Sequence, residues 1–181
     1  MDKRDAILKA ADRLFAQSGF GVVGVDAIAA AAAVTKRTLY KQFGSKAGLF
    51  EAWLNRRDIA TRAMLFAAVE KRATAPREQV LALFEILASL ADDASFHGCP
   101  FSRALIELGD GQPTSRSVAT RHKAELHNWF TVRIRAAALD DVDEFVEELA
   151  TLYEGVLQRI ATTRSTSTAH AAMRIIAQRW P

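Results

Sequence analysis

The apolar positions of this chain repeat at helical spacing, and no run alternates as the positions of a strand would. Gly19 ends the first apolar stripe, and breaks in the pattern separate the later ones. The sequence therefore predicts an all-α protein. Apolar stripes cover residues 7–18, 80–91, 142–160 and 169–180, and the main breaks are expected at 73–76, 97–100, 109–113, 139–141 and 163–168.

Two short helices joined by a tight turn are predicted within residues 26–43. Asp26 lies in the first turn of the first one, where a carboxylate suits the positive end of the helix dipole. Thr35 is a good N-cap for the second one, in which Leu39 and Phe43 are four residues apart and are expected to face inward. A helix pair of this size fits the major groove of DNA.

Basic side chains crowd the second short helix and the start of the next one. Residues 27–50 contain Lys36, Arg37, Lys41 and Lys46 and no acidic residue. A solvated charged face is the alternative interpretation, but a helix this short does not need so many cations for solubility alone. Lys46 would lie in the first turn of a long helix, where a cation is unfavourable unless an anion such as phosphate is near. The pattern favours DNA binding.

The charge of the chain is uneven. Residues 1–57 carry ten Lys or Arg and five Asp or Glu, whereas residues 58–181 carry fourteen and sixteen. Because the basic excess coincides with the helix pair, it favours nucleic acid as the partner over a merely soluble surface. No run of about 18 apolar residues exists, so no membrane span is expected. The N-terminus is not a secretory signal, and we expect a cytoplasmic protein.

Three stretches carry a resemblance to a known family. They read I-L-K-A-A-D-R-L-F-A-Q-S-G-F at 7–20, D-A-I-A at 26–29 and V-T-K-R-T-L-Y-K-Q-F-G-S-K-A-G-L-F at 34–50. In these stretches the chain resembles the TetR/AcrR family of transcriptional regulators. A softer match is H-G-C-P-F-S-R-A at 97–104, which is similar to a segment at the start of the sixth helix in a subset of that family.

The resemblance implies an all-helical fold of about nine helices. Residues 1–47 would form the helix-turn-helix DNA-binding head, and residues 48–181 a helical body for ligand binding and dimerisation. It further implies a homodimer that binds a two-fold operator in double-stranded DNA, more often as a repressor than as an activator. An unknown small-molecule effector would release it from that operator, and the pocket residues cannot be named from the sequence.

The resemblance also assigns DNA contacts residue by residue. Ala33 stands where the turn commonly carries Gly, so the turn is expected to be slightly different or strained. Arg37 stands where Gly is frequent, so the base preference is expected to be individual. Base-reading positions are matched by Lys36, Arg37 and Tyr40. Phosphate-binding positions are matched by Thr35, Thr38, Lys41, Gln42 and Lys46.

The two stripes at 142–160 and 169–180 match the helices that usually join two protomers as a four-helix bundle. The alternative is that the stripes complete the core of the monomer. We favour the dimer, because in the family that the chain resembles these helices do both, and because a single head of this size would bind DNA weakly. The interface residues expected from the two stripes are Phe145, Leu149, Leu152, Val156, Ala172, Met173 and Ile176.

Other candidate chemistry is sparse. Cys99 is the single cysteine, which excludes an intrachain disulfide but leaves a thiol-based redox sensor as an alternative function. His97, His122 and His127 could join Cys99 at a metal, but their spacing matches no strong ligand pattern, so no metal is expected. A helical ligand-binding protein without operator binding is a further alternative.

An enzyme is not predicted. Ser102, His97 and Asp110 could be drawn as a triad, but no nucleophile-elbow glycine pattern surrounds the serine. The chain has no phosphate loop and no dinucleotide glycine fingerprint, so no cofactor is expected either.

Overall fold

The computed structural model describes residues 2–107 and 113–180, and this part of the chain forms nine α-helices, one short 3-10 turn and no β-strand. The prediction of an all-α fold with about nine helices is confirmed. The expected break at 109–113 falls mainly on residues 109–112, outside the described part. The helices are α1 (Lys3–Ser18), α2 (Val25–Ala31), α3 (Lys36–Phe43), α4 (Lys46–Glu70), α5 (Pro76–Ser89), α6 (Pro100–Glu107), α7 (Pro113–Ala136), α8 (Val142–Thr163) and α9 (Ser167–Arg179), with the 3-10 turn at Leu90–Asp92.

The ends of α1 and the start of α4 are set by local hydrogen bonds. The Asp2 carboxylate accepts from the Arg4 backbone N–H at 3.2 Å and caps α1. Gly19 ends that helix with a φ of 80°, a left-handed conformation that favours glycine because it has no Cβ. The Ser45 hydroxyl accepts from the Gly48 N–H at 2.9 Å ahead of α4. Contacts of this kind can be predicted from sequence, because their partners are separated by no more than one helical turn.

The chain divides into two compact units. The first unit contains Met1–Ile59 and Pro100–Arg121, and the second contains Ala60–Cys99 and His122–Pro181. The boundary predicted at 47/48 concerns a different property, namely which residues meet DNA, and it stays a prediction. The first unit therefore holds the whole predicted head and extends beyond it.

An aromatic cluster forms the centre of the first unit. The Phe15 ring lies edge-on to the rings of Phe20, Phe50 and Trp53, at centroid distances of 5.7, 5.5 and 5.2 Å. The Trp53 Nε1 donates to the Asp12 carboxylate at 2.7 Å, so its polar atom is satisfied. Edge-on aromatic pairs contribute about 0.5–1.5 kcal/mol each beyond the burial of their surface. The cluster fixes the start of α4 on α1.

The second unit has its own apolar core, to which the predicted stripes of α5, α8 and α9 contribute. Phe84, Phe130 and Phe145 are among its fully buried side chains. The Phe145 ring also lies edge-on to Trp180 at 5.5 Å, which holds the end of the chain on α8. Among the described helices, none is both long and apolar enough to cross a membrane.

The predicted dimer residues lie mostly inside this core. Leu152 and Met173 are half-buried, and both pack against the core as well. Most of the set therefore completes the core of the single chain, and its role in a dimer interface stays a prediction. A second protomer would have to meet outward-facing residues beside them. The predicted interface residues buried within the single chain are Phe145, Leu149, Val156, Ala172 and Ile176.

Candidate nucleic-acid interface

The turn between α2 and α3 is tight and carries backbone strain. Ala33 has a φ of 52°, in the left-handed region that a side chain disfavours. The turn is closed by the Val34 N–H, which donates to the Ala29 carbonyl at 3.0 Å, and by the Ala33 N–H, which donates to Ala30 at 3.1 Å. The strain expected from alanine in place of glycine is therefore present in the structure.

Two contacts orient α3. The Thr35 hydroxyl accepts from the Thr38 backbone N–H at 3.1 Å, which confirms Thr35 as the N-cap. Leu39 is fully buried, and Phe43 is half-buried beneath the Arg4 guanidinium, which lies 4.5 Å from the ring centroid. With its inward face held in this way, α3 has a defined outward face.

The residues predicted to contact DNA lie on that outward face or at the ends of α3. The three predicted base-reading side chains, Lys36, Arg37 and Tyr40, are exposed, and Tyr40 is an exposed large aromatic at 39%. Their clustering on one eight-residue helix is compatible with entry into a major groove. Of the predicted phosphate-binding residues, the exposed ones are Thr35, Lys41 and Gln42, and the half-buried ones are Thr38 and Lys46.

Lys46 has a neighbour that the sequence analysis missed. Its ammonium lies 4.7 Å from the centroid of the Phe20 ring. A ring face attracts a cation, which offsets part of the unfavourable interaction with the N-terminus of α4. The two residues are 26 positions apart in the sequence, so helical periodicity carries no signal for this contact.

Lys36 also has a partner that was missed. Its ammonium lies 3.0 Å from one oxygen of the Asp26 carboxylate and 3.1 Å from the other. The hydrogen bond that Lys36 donates to Asp26, followed by the negative charge of that carboxylate, raises the pKa of Lys36. Asp26 was expected only to suit the dipole of α2, and its pairing with α3 could not be read from local spacing.

Other ion pairs of the first unit neutralise basic side chains that do not lie on α3. Arg56 lies 2.7 Å from the Asp5 carboxylate, and Arg57 lies 2.6 Å from that of Asp12. Hydrogen bonds from Lys9 and Arg56 hold the pKa of Asp5 below its usual value. Asp5 and Asp12 thus neutralise basic residues on α1 and α4.

The basic residues left without an acidic partner include those most central to the interface. Within the described residues, Arg37 and Lys41 are joined to no carboxylate, and both project from the outward face of α3. The outward face of α3 therefore carries two cations that no carboxylate among the described residues neutralises, at positions where DNA contacts are predicted. This distribution attracts a polyanion to α3 first.

The remaining cysteine and histidine candidates lie in separate environments. Cys99 is half-buried, and Lys123 Nζ donates to its Sγ at 3.3 Å while also pairing with Glu154. His97 Nδ1 lies 2.7 Å from the Ser95 carbonyl, and His127 Nε2 lies 3.0 Å from the Glu147 carboxylate.

No metal centre or triad is assembled from these candidates. His122 is buried. No group of three or more His, Cys, Asp or Glu side chains in the described part of the chain is arranged to hold a metal. Asp110, the third member of the triad considered above, lies outside the described residues.

One polar feature of the second unit bears on ligand binding. The Trp129 indole stacks on Phe66 at 5.4 Å with an interplanar angle of 7°, and the Arg133 guanidinium lies 3.7 Å from its ring centroid. Trp129 Nε1 and Arg133 Nε are buried N–H donors with no acceptor among the described residues. Burial lowers the pKa of Arg133. Buried donors without acceptors are uncommon in folded proteins.

The arrangement of α2 and α3 is a helix-turn-helix with an exposed basic face, which defines a class of DNA-binding proteins. A family model described as bacterial regulatory proteins of the tetR family matches residues 7–53. The sav143 protein of Streptomyces avermitilis, assigned to the TetR transcriptional regulators, is 30% identical over 99% of this chain and 98% of its own, with a TM-score of 0.88. The chain belongs to the TetR family and is a DNA-binding transcriptional regulator.

Further solved structures share the fold. SCO4454, a TetR-family regulator from Streptomyces coelicolor, is 25% identical over 97% of this chain and 93% of its own, with a TM-score of 0.88. A cysteine variant of the TetR-family regulator CifR, solved with 26-base-pair operator DNA, is 23% identical over 100% and 98%, with a TM-score of 0.84. No curated protein matches this chain in sequence.

The strained turn gives the first testable prediction. Ala33→Gly removes the side chain from a left-handed position, and we expect it to raise the free energy of unfolding by about 0.5–1 kcal/mol. Ala32→Gly is the matched control, because Ala32 has an ordinary helical φ of −90°. Glycine at this position should lower the free energy of unfolding. Urea unfolding of both variants measures the difference. Equal shifts in the same direction would show that Ala33 is not strained.

Proposed function

We propose that this protein is a homodimeric repressor that binds a two-fold DNA operator through α3 and leaves it when a small-molecule effector binds. The observation that carries the proposal is the outward face of α3, where Arg37, Tyr40 and Lys41 are exposed beside a buried anchor, Leu39. A helix held so firmly on one side presents its other side in a fixed geometry. Fixed geometry is what sequence-specific recognition requires.

Different side chains of the interface would have different tasks. Arg37 can donate two hydrogen bonds to guanine, and Tyr40 presents an aromatic hydroxyl to a base edge. Thr35 and Lys41 would contact phosphates, which set the register of the helix on DNA but carry little sequence information. Lys36 would also read a base. CifR, which shares this fold, has been solved with its operator DNA, and this supports the proposal that the present chain binds an operator.

A homodimer would place two α3 helices in successive major grooves, roughly 34–36 Å apart. Outward-facing positions on α8 and α9 offer a contact surface for the second protomer. Thr151 and Gly155 are exposed on α8 at a spacing of four residues, and Ile175 is 49% exposed on α9. A Cβ built on Gly155 meets nothing within 4 Å, so this position is open in the single chain. The small residues would allow two α8 helices to approach closely.

Release by an effector requires that the ligand bind a state that DNA does not bind. The unpaired Trp129 Nε1 and Arg133 Nε support a ligand site in the second unit, because a buried donor gains a hydrogen bond when a ligand supplies an acceptor. The flat stack of Phe66 on Trp129 would suit an aromatic portion of the same ligand. Repression, as opposed to activation, and release by an effector are proposed from membership of the family, in which both are usual.

DNA binding is tested with the DNA immediately upstream of the protein's own gene, against a scrambled duplex of the same composition. We expect selective binding and a two-fold footprint. Arg37→Ala should lose about 5- to 100-fold in affinity for the selected site. Lys41→Ala should weaken both duplexes and reduce the slope of log affinity against log salt by about 1.

The control for these variants is Arg135→Ala, which removes one exposed positive charge from the second unit. It should change neither selectivity nor salt slope. If wild-type protein binds both duplexes equally and weakly, only charge attraction is left, and the role in operator recognition has to be abandoned.

The dimer is tested at Gly155. Gly155→Trp places a large side chain in open space, so we expect the chain to stay folded and to become monomeric, with a large loss of operator affinity. Gly155→Ala is the matched control and should remain dimeric. Light scattering gives the mass and circular dichroism the helix content. A folded, dimeric Gly155→Trp variant would place the interface elsewhere.

A second candidate function is a regulator that responds to oxidants through Cys99. The contact between Lys123 Nζ and Cys99 Sγ favours it, because reactive thiols commonly lie beside cations. Hydrogen peroxide would oxidise the thiol to a sulfenic acid and would itself be reduced to water.

The two candidates differ in a release experiment on operator-bound protein. If Cys99 is the sensor, peroxide releases the wild type, a reductant restores binding, and Cys99→Ser stays bound. Identical behaviour of wild type and Cys99→Ser under peroxide removes the redox candidate. Release of both proteins by the same organic compound would then support the small-molecule effector.

A further inference from the structure

We propose that Asp26 is a specificity-determining residue that acts through Lys36. In the free protein its carboxylate holds the lysine in an ion pair, so the lysine adds to DNA binding only where the groove offers a better partner than Asp26 does. Asp26 is therefore a positioning residue that restrains binding to unrelated DNA. The inference rests on the proposed binding of an operator through α3.

The geometry of the pair supports a restraint that DNA can break. The Lys36 ammonium lies within 3.1 Å of both Asp26 oxygens. The side chains are 52% and 80% exposed, so the pair lies in water on the surface of the helix-turn-helix. Exposed ion pairs are weak, and their partners exchange readily. A pair of this kind can bias where Lys36 goes without locking it.

The pair singles out one cation of α3. Lys36 is the first residue of the helix, and Asp26 lies in the first turn of α2, ten positions earlier. Within the described residues, Arg37 and Lys41 on the same helix are joined to no carboxylate. Asp26 thus cancels the charge of a predicted base-reading residue and leaves a neighbouring base reader and a phosphate-binding residue free.

This selection has a consequence for specificity. Binding to unrelated DNA depends on cations that displace counterions from phosphates, and each contact adds about 0.9 to the slope of log affinity against log salt. Lys36 paired with Asp26 contributes little to that term. At a matching site, the acceptors of guanine compete with the carboxylate at fixed positions in the groove. The ion pair therefore weakens binding to any DNA, but it weakens binding to scrambled DNA more.

The test compares wild type with Asp26→Asn, which keeps the shape and removes the charge. Affinity is measured for the selected site and for scrambled duplex over a range of salt concentrations. We expect affinity for scrambled DNA to rise about two- to fivefold and its salt slope to steepen by about 0.9. Affinity for the selected site should rise less, so the specificity ratio falls. Asp26→Glu, which can restore the pair, should behave like wild type.

Two controls identify the route of the effect. In a Lys36→Gln background, Asp26→Asn should change nothing further, because the residue through which Asp26 acts has lost its charge. Asp143→Asn removes an exposed carboxylate from the second unit and should leave both affinities unchanged. An equal gain from Asp26→Asn with and without Lys36 would overturn the proposal, since Asp26 would then simply repel phosphate.

A structural role predicts the opposite sign. If Asp26 merely joined α2 to α3, Asp26→Asn would lower the urea midpoint and weaken binding to both duplexes, and this result would also overturn the inference. If the wild type binds the operator selectively and Asp26→Asn changes neither affinity, this inference is wrong and the proposed function stands. Failure of the wild type to bind either duplex would remove the proposed function and the inference together.

Discussion

The geometry of the proposed DNA-binding face depends on the burial of one leucine on a helix too short to be stable alone. α3 has eight residues, and isolated helices of that length do not persist in water. Leu39 is fully buried and gives α3 its inward side, while the Thr35 cap satisfies one of its free N–H groups. The aromatic cluster around Phe15 in turn fixes the start of α4. The basic face of α3 is thus a consequence of apolar packing behind it.

The acidic residues of the first unit decide which of its cations remain available. Asp5 and Asp12 pair with Arg56 and Arg57, and these pairs join α1 to α4 as well as neutralising charge. Such exposed pairs add little to stability, because water and salt screen them. Their other effect is on the distribution of charge, because they neutralise Arg56 and Arg57 while Arg37 and Lys41 on α3 have no carboxylate partner among the described residues. Charge pairing and hydrophobic packing therefore favour the same surface for a polyanion.

Helices, their caps and the strained turn could be predicted from sequence because their causes are local. Gly19, Ala33 and Thr35 each act within a few residues of their own position. The pairing of Asp26 with Lys36 could not be predicted, since it depends on how α2 and α3 pack. The stripe that contains Phe145 showed correctly that these residues are buried, but apolar periodicity does not tell whether the burying surface belongs to the same chain or to a partner.

Several local features of the interface are unfavourable in the free protein and are only partly offset. Lys36 and Lys46 lie at helix N-termini, where the dipole opposes a cation, and the protein offsets them with a carboxylate and with the Phe20 ring. The Phe20 ring carries no net charge, and the Asp26 side chain is 80% exposed to water, so a phosphate beside Lys46 or several acceptors placed together in the groove beside Lys36 can replace these partners. Bound DNA would therefore remove an unfavourable interaction between each lysine and the dipole of its helix, which the free protein offsets only in part. A site that supplies those acceptors in the right places gains more from this relief than a random duplex does, and on this basis unfavourable electrostatics in the free protein contributes to discrimination between DNA sequences.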